Sequence, residues 1–158
     1  MCRVAPSRQD LIQAAGVAMQ RYQRSVQAFD DAVGRRLGLG PADLRCLDWL
    51  ADGPKTAGAL STATGLRPAA TTALIDRLSR RGLVRRLPSD ADRRQVLVEM
   101  TEEGFARTWE AYGPLVEEGR ELLAKVPLEE LRAMRERLDA MRELTDRHRE
   151  RLGSSPAP

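Results

Sequence analysis

The sequence holds few residues able to make or break bonds. His148 is its single histidine, and the two cysteines, Cys2 and Cys46, lie far apart. That leaves no zinc-like spacing and no histidine partner set for a serine or cysteine nucleophile. Neither G-x-x-x-x-G-K-[ST] nor G-x-G-x-x-G occurs, so both common phosphate-cradling loops are missing. Arginine is the residue type that clusters. Seven lie between Arg77 and Arg94 (77, 80, 81, 85, 86, 93 and 94) against two acids, Asp90 and Asp92. Such a run reads as a footprint for a polyanion, and arginine suits bidentate contacts to phosphate and guanine. The sequence therefore points to nucleic-acid binding and away from an enzyme, with no metal and no cofactor expected.

These side chains need elements to hold them. The chain has 158 residues, 42% hydrophobic and 31% charged, which suits one soluble domain or a small domain with an extension. No apolar run approaches the roughly 18 residues that span a bilayer. The opening MCRVAPSRQD has no apolar signal core, so a cytoplasmic protein with no membrane partner is expected. Ser7 with Asp10 predicts a helix start. Ile12, Ala15, Met19, Tyr22, Val26, Phe29 and Val33 then recur at steps of three and four, an apolar seam of about 33 Å that calls for a partner helix. Gly38, Gly40 and Pro41 end that helix and begin a second, in which Leu44, Leu47, Leu50 and Ala51 face inward. Thr56 caps a short third helix with Ala59, Leu60 and Ala63 inward, and Pro68 opens a fourth after Gly65. Two short helices around a glycine turn describe a helix-turn-helix.

In the fourth helix Thr71, Leu74, Ile75 and Leu78 form the inward face, leaving Ala69, Thr72, Ala73, Asp76, Arg77 and Arg80 outward. A major groove admits such a helix, with Ala and Thr methyls against thymine and Arg77 within reach of guanine or the backbone. Plain helix filler explains Ala-Ala-Thr-Thr-Ala equally well. Residues 83–87 and 96–100 read as the two strands of a hairpin with the polar tip PSDADRRQ. An arginine on such a tip can enter a narrow minor groove, and Asp92 is placed to orient Arg94. Thr101 with Glu102 and Glu103 starts a further helix, and a last one carries Leu131, Met134, Leu138 and Met141 on one stripe.

Gly82-Leu-Val-Arg-Arg, the tip Asp92-Arg-Arg, Val96-Leu-Val-Glu-Met-Thr-Glu-Glu-Gly104 and Leu74-Ile-Asp-Arg-Leu78 resemble the winged-helix signature of the MarR (multiple antibiotic resistance) regulators. The resemblance implies a mainly α fold with a small β-hairpin wing. Its parts would be a dimerisation helix over 1–37, a DNA-binding lobe over 41–100, dimerisation helices over 101–152 and a flexible tail over 153–158. It implies a homodimer on pseudo-palindromic double-stranded DNA, usually a repressor, that a small-molecule effector releases. Carried onto this chain, Arg94 matches the wing-tip arginine, with Arg93 beside it and Asp92 as acidic support. Thr72 and Arg77 match recognition-helix positions that face DNA, whereas Ala73 stands where relatives often carry a longer polar residue; Ala69 is a DNA-facing candidate from the outward face alone. Arg67 stands where a capping serine is common. The family's ligand crevice would be lined here by Cys46, Trp49, Trp109 and Tyr112, although simple core packing explains the same four residues. Two alternatives remain at this level. One is a thiol-based redox sensor using Cys2 or Cys46, which needs an exposed thiol of lowered pKa; the other is a winged-helix protein-interaction module that binds no DNA.

Overall fold

The computed structural model describes residues 5–88 and 96–154. It falls into two compact units, one up to Tyr112 and one from Gly113 onward. In the first unit α1 spans Arg8–Leu37. The Ser7 hydroxyl accepts from the Asp10 amide at 3.2 Å, and the Asp10 carboxylate accepts from the Ser7 amide at 2.9 Å. The capping box is thus reciprocal, and the Ser7 hydroxyl, with its amide, holds the Asp10 carboxyl below its ordinary pKa. Gly38, at φ +63°, closes the helix in the left-handed region. Only Val33 and Gly34 of α1 are buried. Most of the predicted seam remains exposed, as at Ile12, Tyr22 and Val26.

Pro41 begins α2 (Pro41–Ala51), where its missing amide hydrogen costs nothing. Helix α3 (Ala57–Thr64) starts at Thr56, whose hydroxyl accepts from the Ala59 amide at 3.1 Å. Its inward face differs from the expected one. Leu60 is buried, but Ala59 is exposed and Ala63 only half-buried. The second inward position is Thr64, one turn after Leu60, and its hydroxyl donates to the Leu60 carbonyl at 2.7 Å. That bond lets a polar side chain stand where the sequence suggests only alanines. Helix α4 (Pro68–Arg80) buries Thr71, Leu74, Ile75 and Leu78, the face predicted from spacing alone.

The predicted hairpin is part of a larger sheet. Strand β1 (Lys55–Thr56) joins β2 (Val84–Pro88) and β3 (Val96–Met100) in the antiparallel order β1-β3-β2. Lys55 pairs with Val98 and Val84 with Met100. The core of the unit is Cys46, Leu47, Leu60, Leu74, Ile75, Leu78, Leu83 and Val98, all nearly inaccessible. Each such aliphatic side chain contributes roughly 1.5–3 kcal/mol by leaving water.

Helix α5 (Glu102–Ala124) starts on Thr101. The Thr101 hydroxyl donates to the Gly82 carbonyl at 2.6 Å and accepts from the Gly104 amide at 2.9 Å. Gly104 lies against the chain at Leu83, and a Cβ there would stand 2.2 Å from the Leu83 carbonyl oxygen. In the second unit α6 spans Leu128–Ser154. It is longer than expected: the predicted tail from 153 begins inside it, because neither Gly153 nor Ser154 forbids one more turn. Met134, Leu138, Met141 and Leu144 form an exposed apolar stripe along it.

Candidate nucleic-acid interface

A helix can read a groove only with a face that the core does not claim. On α4, Ala69, Thr72, Ala73, Arg77 and Arg80 are exposed, and Asp76 is half-buried. Arg67 occupies the N-cap with an extended backbone and makes no side-chain cap bond, as its replacement of a capping serine predicts. Arg67 is itself exposed, and small residues follow it on the exposed face of α4. The Thr72 hydroxyl donates to the Pro68 carbonyl at 3.1 Å, so in this conformation its lone pairs face outward as an acceptor. An acceptor there suits the amino group of adenine or cytosine.

The arginine cluster is less available than its sequence suggests. Arg77 lies 2.5 Å from Asp43, a carboxylate whose side chain is only 6% exposed. Arg81 donates to the Gly38 carbonyl at 2.5 Å and the Leu37 carbonyl at 2.6 Å. Arg85 pairs across the sheet with Glu99, its partner in register, at 2.5 Å. Arg86 reaches from β2 to Asp76 on α4 at 2.7 Å. Four of the clustered arginines thus hold the lobe together. Arg67 and Arg80 are exposed, and no described carboxylate forms an ion pair with either. Asp92, Arg93 and Arg94 lie outside the described residues.

Asp43 and Arg81 do not stand out in the sequence as partners in these internal bonds. Asp43 carried a detectable signal, standing three residues after Gly40 in a capping position; its Oδ2 accepts from the Gly40 amide at 3.0 Å. No local pattern marks Arg81, because its partners lie more than forty residues away.

Of the residues assigned to a ligand crevice, Cys46 has no accessible surface and belongs to the core. Burial, reinforced by the Asp43 charge, pushes its thiol up to about 12. A thiol reagent is expected to leave Cys46 unmodified in the folded Cys2→Ser variant and to label it on unfolding. Rapid labelling of the native variant would show that the core opens at this point. Trp49 and Trp109 are both exposed, and Trp109 stacks on Phe105 with ring centroids 6.2 Å apart. Tyr112 is half-buried edge-on to Phe29 and donates to Asp30 at 2.8 Å. Burial first, then the Asp30 hydrogen bond, raises its pKa; burial and the charges of Asp52 and Asp30 raise that of Asp48. Cys46 and Tyr112 therefore have packing and hydrogen-bonding roles, whereas the two indoles face outward. Among the described residues no three histidine, cysteine or acidic side chains are grouped to hold a metal. No described helix is long and apolar enough to cross a membrane.

A helix pair whose second member keeps one free face, backed by a three-stranded antiparallel sheet, is a winged helix-turn-helix. Known proteins agree with that class. Residues 37–95 match the model of the MarR family. The chain is 34% identical over 126 residues to the uncharacterized HTH-type transcriptional regulator YcgE of Bacillus subtilis, covering 79% of this chain and 82% of that one. Similar solved structures include the transcriptional regulator BldR from Sulfolobus solfataricus, at 27% identity and a TM-score of 0.55, over 90% of this chain and 99% of that one. A MarR family transcriptional regulator from Silicibacter pomeroyi shares the fold at 24% identity and a TM-score of 0.64, over 92% and 98% of the two chains. The chain belongs to the MarR family of transcriptional regulators.

Proposed function

We propose that this regulator binds double-stranded DNA as a homodimer, one α4 in each of two adjacent major-groove segments of a pseudo-palindromic operator, and acts as a repressor. The observation that carries this reading is the division of α4. One face is sealed in the core, while the other offers Arg67, Ala69, Thr72 and Ala73 with no described side chain packed over them. Arg93 and Arg94, supported by Asp92, supply the minor-groove contact of the wing. Residues 41–100 form the DNA-binding lobe. The seam of α1 within 1–37 and the apolar stripe of α6 within 101–152 form the dimer surfaces; both remain exposed in the single chain. Dimer symmetry places the half-sites about one DNA turn, roughly 34–36 Å, apart. A small-molecule effector releases the DNA, as the family resemblance implies.

The test is selection of genomic fragments bound by the purified protein, followed by footprinting and sizing in solution. Two copies per protected site of about two half-sites support the reading; a lone subunit that retains no duplex in dilute buffer overturns it. Arg94→Ala is expected to weaken binding to every operator variant while leaving the thermal midpoint unchanged. Thr72→Ala is expected instead to reorder the preference among operators altered at one base pair, a difference of about 1–3 kcal/mol for a lost base contact. Uniform weakening would show that Thr72 reads no base. A protein-interaction module is separated by the same measurements, since its association lacks the steep salt dependence of phosphate contacts.

A further inference from the structure

Two arginines four residues apart, Arg77 and Arg81, project from the same side of the end of α4. Both reach the short corner that joins α1 to α2. Arg77 meets Asp43 at 2.5 Å, while Arg81 holds the Leu37 and Gly38 carbonyls at 2.6 and 2.5 Å. The corner is itself closely packed. The Leu39 amide donates to the Gly34 carbonyl at 2.8 Å, and a Cβ on Gly34 would lie 2.8 Å from the Leu39 carbonyl oxygen. Asp43 cannot swing to follow a departing arginine, because the Gly40 amide holds its second oxygen at 3.0 Å. Its carboxylate is buried, so a bound Arg77 is the group that compensates its charge.

We propose that Asp43, Arg77 and Arg81 are positioning residues for operator binding: they strap α4 to the α1–α2 corner, so that Arg77 supports binding through the angle of α4 and not by touching DNA. The proposal rests on the DNA-binding reading above. An Arg77 that turned to a phosphate would leave a buried carboxylate with a single described amide partner. Gaining an exposed phosphate contact at that cost is unfavourable. The strap also ends on the last residues of α1, the helix with the exposed seam. A change in the course of α1 near Leu37 is therefore delivered to the helix that reads the groove.

The experiment measures operator affinity by fluorescence anisotropy over a range of salt, using the full chain and a genomic fragment recovered by selection. The variants are Asp43→Asn, Arg77→Gln, their combination, and Arg81→Gln. The strap predicts that each single variant loses about tenfold or more in affinity on every operator sequence. The Asp43/Arg77 double variant should be no weaker than either single one, since both remove the same link. The log-log salt slope should stay at its wild-type value throughout. A direct phosphate contact predicts otherwise. Arg77→Gln would then lower the slope by about 0.9 per subunit, while Asp43→Asn would leave affinity unchanged or raise it. That result overturns the strap while leaving DNA binding intact. Should Asp43→Asn lose its cooperative thermal transition, the slope for Arg77→Gln decides alone, unchanged in favour and reduced against. A wild-type protein with no salt-dependent retention of DNA would bring down the DNA-binding reading, and the strap with it.

Discussion

Gly104→Ala is expected to be the most damaging single-methyl change in this protein. The added Cβ would stand 2.2 Å from the Leu83 carbonyl oxygen and 2.9 Å from its carbon. Both are backbone atoms, so no side-chain rotation relieves the overlap. The oxygen also accepts from the Thr101 amide at 3.0 Å, and Leu83 itself is buried in the core. Separating α5 from the start of β2 would break that bond and the Thr101 cap together. Overpacking that also costs buried hydrogen bonds amounts to roughly 3 kcal/mol or more. For a chain of this size, that lowers the thermal midpoint by about 10 °C. Gly58→Ala is the control. A Cβ there meets only the Thr56 hydroxyl at 3.9 Å, and alanine is the better helix former by about 0.5–1 kcal/mol. Thermal or urea unfolding of the two variants checks both signs. A Gly104→Ala midpoint within two degrees of wild type would show that the α5–β2 contact yields easily.

The salt dependence of operator binding is expected to be large, yet much smaller than a count of arginines implies. If Arg67 and all seven clustered arginines neutralised phosphates in two subunits, the log-log slope would be about −14. The internal bonds of Arg77, Arg81, Arg85 and Arg86 remove half of that set. Arg67, Arg80, Arg93 and Arg94 from each subunit give about −7, or about a 10⁴-fold loss of affinity between 50 and 200 mM salt. Anisotropy titrations at four or five salt concentrations distinguish these values. A slope near −14 would mean that the internal ion pairs open on DNA. A slope near zero would exclude the phosphate contacts altogether.

Local chemistry made much of the architecture legible. Ser7 and Asp10 cap α1 as their types and spacing predict, and Gly38 with Pro41 marks the corner that follows. The inward face of α4 is readable because apolar residues at helical spacing admit one burial solution there. The motif from Val96 to Gly104 places a strand, a cap and a helix in the order observed. Strand β1 was not legible. Two residues, Lys55 and Thr56, carry no alternating pattern and become a strand only because Leu97 and Val98 lie beside them. Thr64 was likewise hidden, since its polarity disguises a position that a backbone acceptor makes buriable.

The same boundary runs through the candidate site. Residue types and their order along the chain were enough to place α4, its outward small residues and the family to which the chain belongs. Which arginines remain available for a polyanion was decided only in three dimensions. Arg80 and Arg81 are neighbours with the same charge, yet Arg81 is held by carbonyls across the fold while Arg80 stays exposed. Charge is a property of composition, but its availability depends on the distance to a partner, and the partners of Arg77 and Arg81 come from 34 and more residues away. Periodicity reports which side of a helix faces the core; it holds no information about which distant group will meet a long, flexible side chain at its tip.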